Sequence, residues 1–349
     1  MTEILNKNAL ASSLQSDPDL LAKLREFVQD KEAFSPNTWS QLKSVMTVCW
    51  HWTQIHQRSF IPMLSSDLRE YLLWLQSSGR ASTTIATHAS LISMLHCHAG
   101  LLPPNASPLI YRVMKKINRV AVVSGERTGQ AIPFRLDDLN GIDELWAGSS
   151  KLKKIRNLAF LHIAYSTLLR ISELARIRVK DISRAEDGRF ILDVSYTKTV
   201  VQTGGLTKAL SAFSSMRVGE WLEASGIGNE PEAFLFCRIH RSNKALCSEI
   251  NKLSRPAIEN IFRNAWFDIN GDAQIKANKK RYPCWSGHSA RVGAAQDMAR
   301  RGYPIVQIMQ EGTWKKPETL MRYIRNVDAH SGAMIDLMER STNAKKTSS

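Results

Sequence analysis

Apolar residues recur at helical spacing along most of this 349-residue chain, and one stretch breaks the period. In "RFILDVSYTKTVVQTGGLTKALS", Arg189 to Ser211, apolar side chains alternate at Phe190, Leu192, Val194 and Tyr196, continue at Val200 and Val201, and stop at Gly204-Gly205. Alternation of period two puts one face of an extended segment on a core, which a period of 3.6 cannot do. The chain is therefore expected to be mainly α, with one small antiparallel β-sheet in its C-terminal part.

The first third reads as five helices. "DPDLLAKLREFVQD" follows Ser16-Asp17, and "SPNTWSQLKSVMTVCWHWTQIHQR" opens on a Ser-Pro cap. "SSDLREYLLWLQSSG" has a Ser/Asp start and a stop at Gly79, "STTIATHASLISMLHCHAG" runs from Ser82 to Gly100, and "SPLIYRVMKKINR" follows a Pro-rich turn. "VVSGERTGQAIPF" breaks the period with two Gly and a Pro and is expected to be a linker. Beyond it, "LDDLNGIDELWAG" and "KLKKIRNLAFLHIAYSTLLRISELARI" are helical. Further helices are expected near 214–225, 256–269, 288–301, 305–310 and 317–326, with an amphipathic pattern at Met334, Ile335, Leu337 and Met338. The implied division is a disordered tail 1–17, a helical domain 18–121, a linker 122–134, a domain 135–341 and a tail 342–349. With 43% apolar residues, both domains can bury a core.

The net charge of +15 favours a polyanionic partner, nucleic acid before an anionic membrane. The longest apolar stretch, Leu158 to Leu169, contains His162, Tyr165, Ser166 and Thr167 and is too short to span a bilayer. "MTEILNKNAL" lacks the apolar run of a signal peptide. Five cysteines at irregular spacing, with no CxxC, suit a reducing cytoplasm better than a disulfide framework or a zinc site. In "HCH", His96 and His98 face different sides of a helix, so no metal is expected.

Four segments could carry chemistry. In "SGHSARVGAAQDMAR", His288 and Arg291 share a face at a helix start. They are either a cap and a solvated charge, or half of an anion site beside free backbone N–H groups. Small residues at Ala290, Gly293, Ala294 and Ala295 would let a backbone or a ligand come close. Arg170 lies in an apolar run with Glu173 three residues on: a helix-face ion pair, or a guanidinium held toward a phosphate. Lys198 on the strand hairpin is an ordinary edge lysine or a proton donor to a leaving oxygen. Trp314 and Tyr323 are packing residues, or Tyr323 is a nucleophile whose ionisation nearby cations assist. Two arginines and a lysine around a tyrosine suit metal-free attack on a phosphodiester, because the transition state spreads negative charge over the non-bridging oxygens.

In this order the segments resemble the tyrosine site-specific recombinases of the phage integrase superfamily, of the Cre and Dre type. The likeness runs from "AFSPNTW" to "SGAMIDLM" and is carried by "NLAFLHIAYSTLLRISELARIRVKDIS", "YTKT", "WSGHSARVGAAQDMA" and "IMQEGTWKKPETLMRYIRN"; "HRSNKA" and "GTWKKPETLMRY" lean to the Dre side. The resemblance implies a two-domain, C-shaped clamp on duplex DNA and a cytoplasmic, nucleoid-associated enzyme, bacterial or phage- or plasmid-encoded. It makes Tyr323 the nucleophile of a 3′-phosphotyrosine link, with Arg170 and Arg291 clamping the phosphate. His288 and Trp314 would hydrogen-bond that phosphate, Lys198 would act as the acid, and Glu173 would orient them. It implies no cofactor, neither ATP nor metal, and a homotetramer on two inverted-repeat target sites, closed by a C-terminal helix docking on the neighbouring subunit. Candidate DNA contacts are Ser40, Gln41, Lys43, Thr83, Thr87, Arg112, Lys115, Arg238, Arg241, Lys244, Arg255 and Arg281. One departure from the Cre-type pattern stands out: Pro256, beside Arg255, replaces a base-reading Arg at a helix head, which implies a target different from Cre's.

Overall fold

The structure, a computed structural model, describes residues 18–126, 129–194, 205–271 and 283–324. The chain divides into two compact units, Met1–Thr128 and Gly129–Ser349. Among the described residues the first unit is helical: α1 (Pro18–Gln29), α2 (Pro36–Ile55), α3 (Ser65–Ser77), α4 (Ser82–His98) and α5 (Pro108–Val123). Ser35 and Ser107 cap α2 and α5, their hydroxyls accepting the N–H of Thr38 and of Leu109. The Ser/Asp start expected for α3 is corrected: Leu64 holds the cap position, and the Ser65 hydroxyl instead donates to the Pro104 carbonyl at 2.9 Å. Leu42, Met46, Leu68, Tyr71, Ile85 and Ile92 are buried at the centre of this unit. His96 belongs to the same packing. Its Nδ1 donates to the Ile92 carbonyl at 2.8 Å and its Nε2 accepts from Met63 N–H at 2.9 Å, while His98 stacks on Phe27.

The second unit begins with α6 (Leu136–Trp146) and α7 (Leu152–Thr167), and α7 is its axle. Phe160, Leu161 and Ile163 are fully buried and packed on by α9 (Ala212–Ser225) and α11 (Ser289–Arg300). The single helix expected from Lys151 to Ile177 is corrected: α7 stops at Thr167, Leu168 turns left-handed (φ 53°), and a short α8 (Ile171–Leu174) restarts. Three strands, β1 (Ile182–Arg184), β2 (Phe190–Val194) and β3 (Leu206–Ala209), form an antiparallel sheet in sequence order, with Val194 opposite Leu206. Phe190, Leu192 and Val194 face the core, as their alternation requires. A two-stranded hairpin, β4 (Arg238–Ile239) and β5 (Ala245–Leu246), precedes α10 (Arg255–Asn270). Helices α12 (Ile305–Glu311) and α13 (Pro317–Ile324) pack against α11. No helix among the described residues is long and apolar enough to cross a membrane. The cysteines at 49, 97, 237, 247 and 284 are free thiols.

Two expectations around residues 122–134 and α11 change. The stretch read as a linker is divided: Val122 and Val123 end α5, whereas Ala131 and Phe134 are buried in the second unit. The small face of α11 is not vacant for a ligand. The Phe134 N–H donates to the Ser289 carbonyl at 3.0 Å, and a Cβ on Gly293 would stand 1.7 Å from the Phe134 carbonyl oxygen. Ala290, Ala294 and Ala295 are likewise buried against the protein itself. Gly293→Ala is therefore expected to destabilise the protein by about 3 kcal/mol, since backbone must move to admit the methyl. Gly219→Ala in α9, where the new Cβ meets only Phe190 at 3.8 Å, should stabilise it by roughly 0.5–1 kcal/mol. Thermal unfolding of the two variants checks both signs.

Candidate active site

The left-handed turn at Leu168 positions the first part of the site. It frees the Leu168 carbonyl from the helix and leaves Arg170 as the N-cap of α8. The Glu173 carboxylate, with a side chain 4% exposed, accepts the Arg170 backbone N–H at 2.9 Å and the Arg170 guanidinium at 2.9 Å. The ion pair read from the sequence exists, and it is also what aims Arg170.

Arg291, one turn into α11, is 2% exposed. Its two Nη groups donate to the carbonyls of Leu168 and Gly312, and the guanidinium lies 4.4 Å from the centre of the Trp314 ring. Its Nε is buried without a hydrogen-bond partner among the described residues. Burial, then the nearby Arg170 charge, lower its pKa to about 10, and at neutral pH the group remains a cation. Trp314 reaches this place because Thr313 is left-handed (φ 54°) and because Gly312 has no Cβ, which would stand 2.0 Å from the indole.

His288 occupies the N-cap position of α11, but its side chain makes no cap bond, so the capping alternative is set aside. Its Nε2 lies 2.6 Å from the Tyr323 hydroxyl. Burial first, then the positive charges of Arg291, Arg170 and Arg255, lower the imidazole pKa to about 4. The residue keeps an exposed edge where water relieves part of the burial cost, while the three cations act in the same direction throughout. A neutral imidazole can accept the tyrosine proton. Tyr323 lies on α13, half-buried, its ring 5.1 Å from that of Trp314. Arg170, Glu173, His288, Arg291, Trp314 and Tyr323 thus form one cluster, with two guanidinium cations around a hydroxyl already hydrogen-bonded to a base.

The phage integrase family matches residues 119–330. The recombinase Cre of Escherichia phage P1 is 42% identical over 334 residues, which is 96% of each chain. The chain belongs to the phage integrase family. Its activity is that of a tyrosine-type site-specific DNA recombinase. Solved structures share the fold at low identity. The Tn1549 transposon integrase in complex with transposon right end DNA has a TM-score of 0.61 at 13% identity, covering 93% of this chain and 99% of that one. A lambda integrase dimer bound to a COC′ core site has a TM-score of 0.54 at 15% identity, covering 89% and 96%.

Other residues of the recombinase stand apart from this cluster. Lys198 and Arg281 lie outside the described residues, as do both tails and the pattern at 334–338. Ser40, Gln41, Lys43, Thr83, Arg112 and Lys115 are exposed on helices of the first unit, while the Thr87 hydroxyl is committed to the Thr83 carbonyl at 2.9 Å. Arg238, Arg241 and Lys244 are exposed on the β4–β5 hairpin, and Arg255 is exposed as the first residue of α10. Three side chains had no signal in the sequence. Lys208 on β3 is buried and donates to the Glu311 carboxylate at 2.7 Å, just before Gly312. Gln130 and Gln296 both donate to the Tyr323 carbonyl.

Ring-proton NMR of the DNA-free protein should place the His288 midpoint near 4, against about 6.5 for an unperturbed imidazole. Removing one cation, as in Arg170→Ala, should raise it. A midpoint at or above 6 would mean that burial and the neighbouring guanidiniums do not act on the ring as their positions imply.

Proposed function

We propose that this recombinase cleaves and rejoins duplex DNA through a covalent 3′-phosphotyrosine formed by Tyr323. The observation that carries the reading is the 2.6 Å contact between the Tyr323 hydroxyl and His288 Nε2, beside Arg170 and Arg291. Tyr323 attacks the scissile phosphorus while its proton passes to His288. The P–O5′ bond breaks as the P–O(Tyr) bond forms. Arg170 and Arg291 offset the charge that grows on the non-bridging oxygens, and the buried Nε of Arg291 is a donor in reserve for one of them. Trp314 walls the phosphate on one side and can hydrogen-bond it. Glu173 keeps Arg170 aimed, and Lys198 gives a proton to the departing 5′-oxygen.

A second exchange by an incoming 5′-hydroxyl reverses these steps. Bond energy is conserved in the phosphotyrosine, so ATP is not needed, and the two guanidiniums supply the cationic charge that a metal would otherwise bring. The net charge of +15 suits a duplex partner held largely by its phosphates. The exposed polar residues of α2, α4 and α5, with Arg238, Arg241, Lys244 and Arg255, are the proposed contacts, together with Arg281. Pro256 has no side-chain donor, so Arg255 at the head of α10 is the residue left there to read a base, consistent with a target distinct from Cre's and nearer the Dre type. Assembly is proposed as a tetramer on two sites, with a dimer at each inverted repeat. The C-terminal pattern around Met334 to Met338 would dock on the neighbouring subunit, and a shallow hollow lined by Val306, Met309, Thr313, Trp314 and Pro317 offers an apolar seat.

Mixed with a suicide substrate nicked beside the cleavage point, the protein should give a covalent protein–DNA band that Tyr323→Phe abolishes; a band that persists in this variant would remove Tyr323 as the nucleophile. Lys198→Ala should cleave slowly, by about 10²-fold or more, and a bridging 5′-phosphorothiolate, a better leaving group, should restore most of the rate. Without that rescue Lys198 is not the acid.

A further inference from the structure

The last four carbonyls of an α-helix have no partner within the helix and must find one elsewhere. Tyr323 lies in α13, and its carbonyl takes partners from outside the helix. Two side-chain amides from distant parts of the sequence occupy it: Gln130 Nε2 at 2.8 Å and Gln296 Nε2 at 2.9 Å. Neither amide is loosely held. Gln296 is 4% exposed, and its Oε1 accepts the Arg135 guanidinium at 3.0 Å. Arg135 also reaches Asp297 at 3.3 Å, and Asp297 in turn accepts the Leu136 N–H at 2.8 Å and the Tyr165 hydroxyl at 2.6 Å. Gln130 is half-buried and opens the segment whose Phe134 is fixed to α11. The same tyrosine is therefore gripped at its two polar ends, the hydroxyl by His288 and the carbonyl by two amides.

We infer that Gln130 and Gln296 are positioning residues for the nucleophile: a two-amide clasp on the Tyr323 carbonyl that sets how deep the phenolic oxygen sits relative to the arginine pair. The inference rests on Tyr323 being the nucleophile. Attack requires the reacting atoms to be about 3–3.5 Å apart and aligned, and a shift of about 1 Å costs up to about 10²-fold. Main-chain placement at Tyr323 matters as much as the side-chain contacts, because the ring moves with the backbone that carries it. Among the described residues Gln130 hydrogen-bonds the Tyr323 carbonyl, whereas Gln296 also binds Arg135, so Gln130 is the residue to alter.

The test uses the full chain and a nicked suicide substrate under single-turnover conditions. Half-site affinity by gel shift and the melting temperature are measured beside it. Gln130→Ala should slow adduct formation at saturating protein by about tenfold, with half-site affinity within about twofold of the unaltered protein. Gln130→Glu sets a carboxylate against the carbonyl at neutral pH and an O–H donor once protonated. Its rate relative to the unaltered protein should therefore rise steadily as pH falls from 8 to 5. A Gln130→Ala rate within twofold of the unaltered protein overturns the clasp. So does a Gln130→Glu ratio that fails to rise with acidity, or a loss of cleavage that only follows a loss of half-site binding. Absence of any adduct from the unaltered protein overturns the nucleophile reading, and the clasp with it.

Discussion

A guanidinium removed from water has to be surrounded by acceptors, and the layout of the second unit follows from how Arg291 meets that demand. It is held by the carbonyls of Leu168 and Gly312, and a helix interior would have used the Leu168 carbonyl itself. So α7 ends at a left-handed Leu168, and α12 gives way to the Gly312-Thr313 turn. The two interruptions do more than supply oxygens. The first makes Arg170 a helix cap fixed by Glu173, and the second lays the Trp314 ring over the buried cation. Three of the proposed phosphate-binding groups thus depend on one burial problem.

Charge without nearby neutralisation is the second theme. Arg170 has Glu173, but Arg291 is held by neutral carbonyls and no ion pair to it is present among the described residues. Burial and then the excess positive potential hold the imidazole of His288 unprotonated, which is the form that can take a proton from Tyr323. One pair of cations therefore serves two ends. In the proposed mechanism it lowers the proton affinity of His288 before DNA arrives and receives the phosphate afterwards.

Much of this was visible in the residues before any coordinates. The Ser-Pro cap at Ser35, the Pro-rich turn before α5 and the alternation at Phe190, Leu192 and Val194 mark helices and a strand where they occur, because those signals are local. The motif segments named six side chains that the structure gathers into one cluster. What stayed hidden depends on distant partners. The apolar run through Leu168 has helical periodicity, and it is broken where the Leu168 carbonyl accepts from Arg291 and Glu173 caps the next turn. Gly293 and its alanines resembled a bay for a ligand, yet the chain's own Phe134 fills the space. Gln130 and Lys208 bear no local mark at all, since their importance lies in acceptors on α13 and α12.

The seating of Phe134 on α11 also decides where this protein can be cut. Helical periodicity begins at Leu136, which invites a catalytic fragment starting at about Arg135. Such a fragment would lack the strip of backbone that lies against Gly293 and the amide that meets Tyr323, although neither belongs to a helix or a strand. The irregular residues from Gly129 to Phe134 are structurally the first piece of the second unit, and an autonomous version of it has to begin upstream of them.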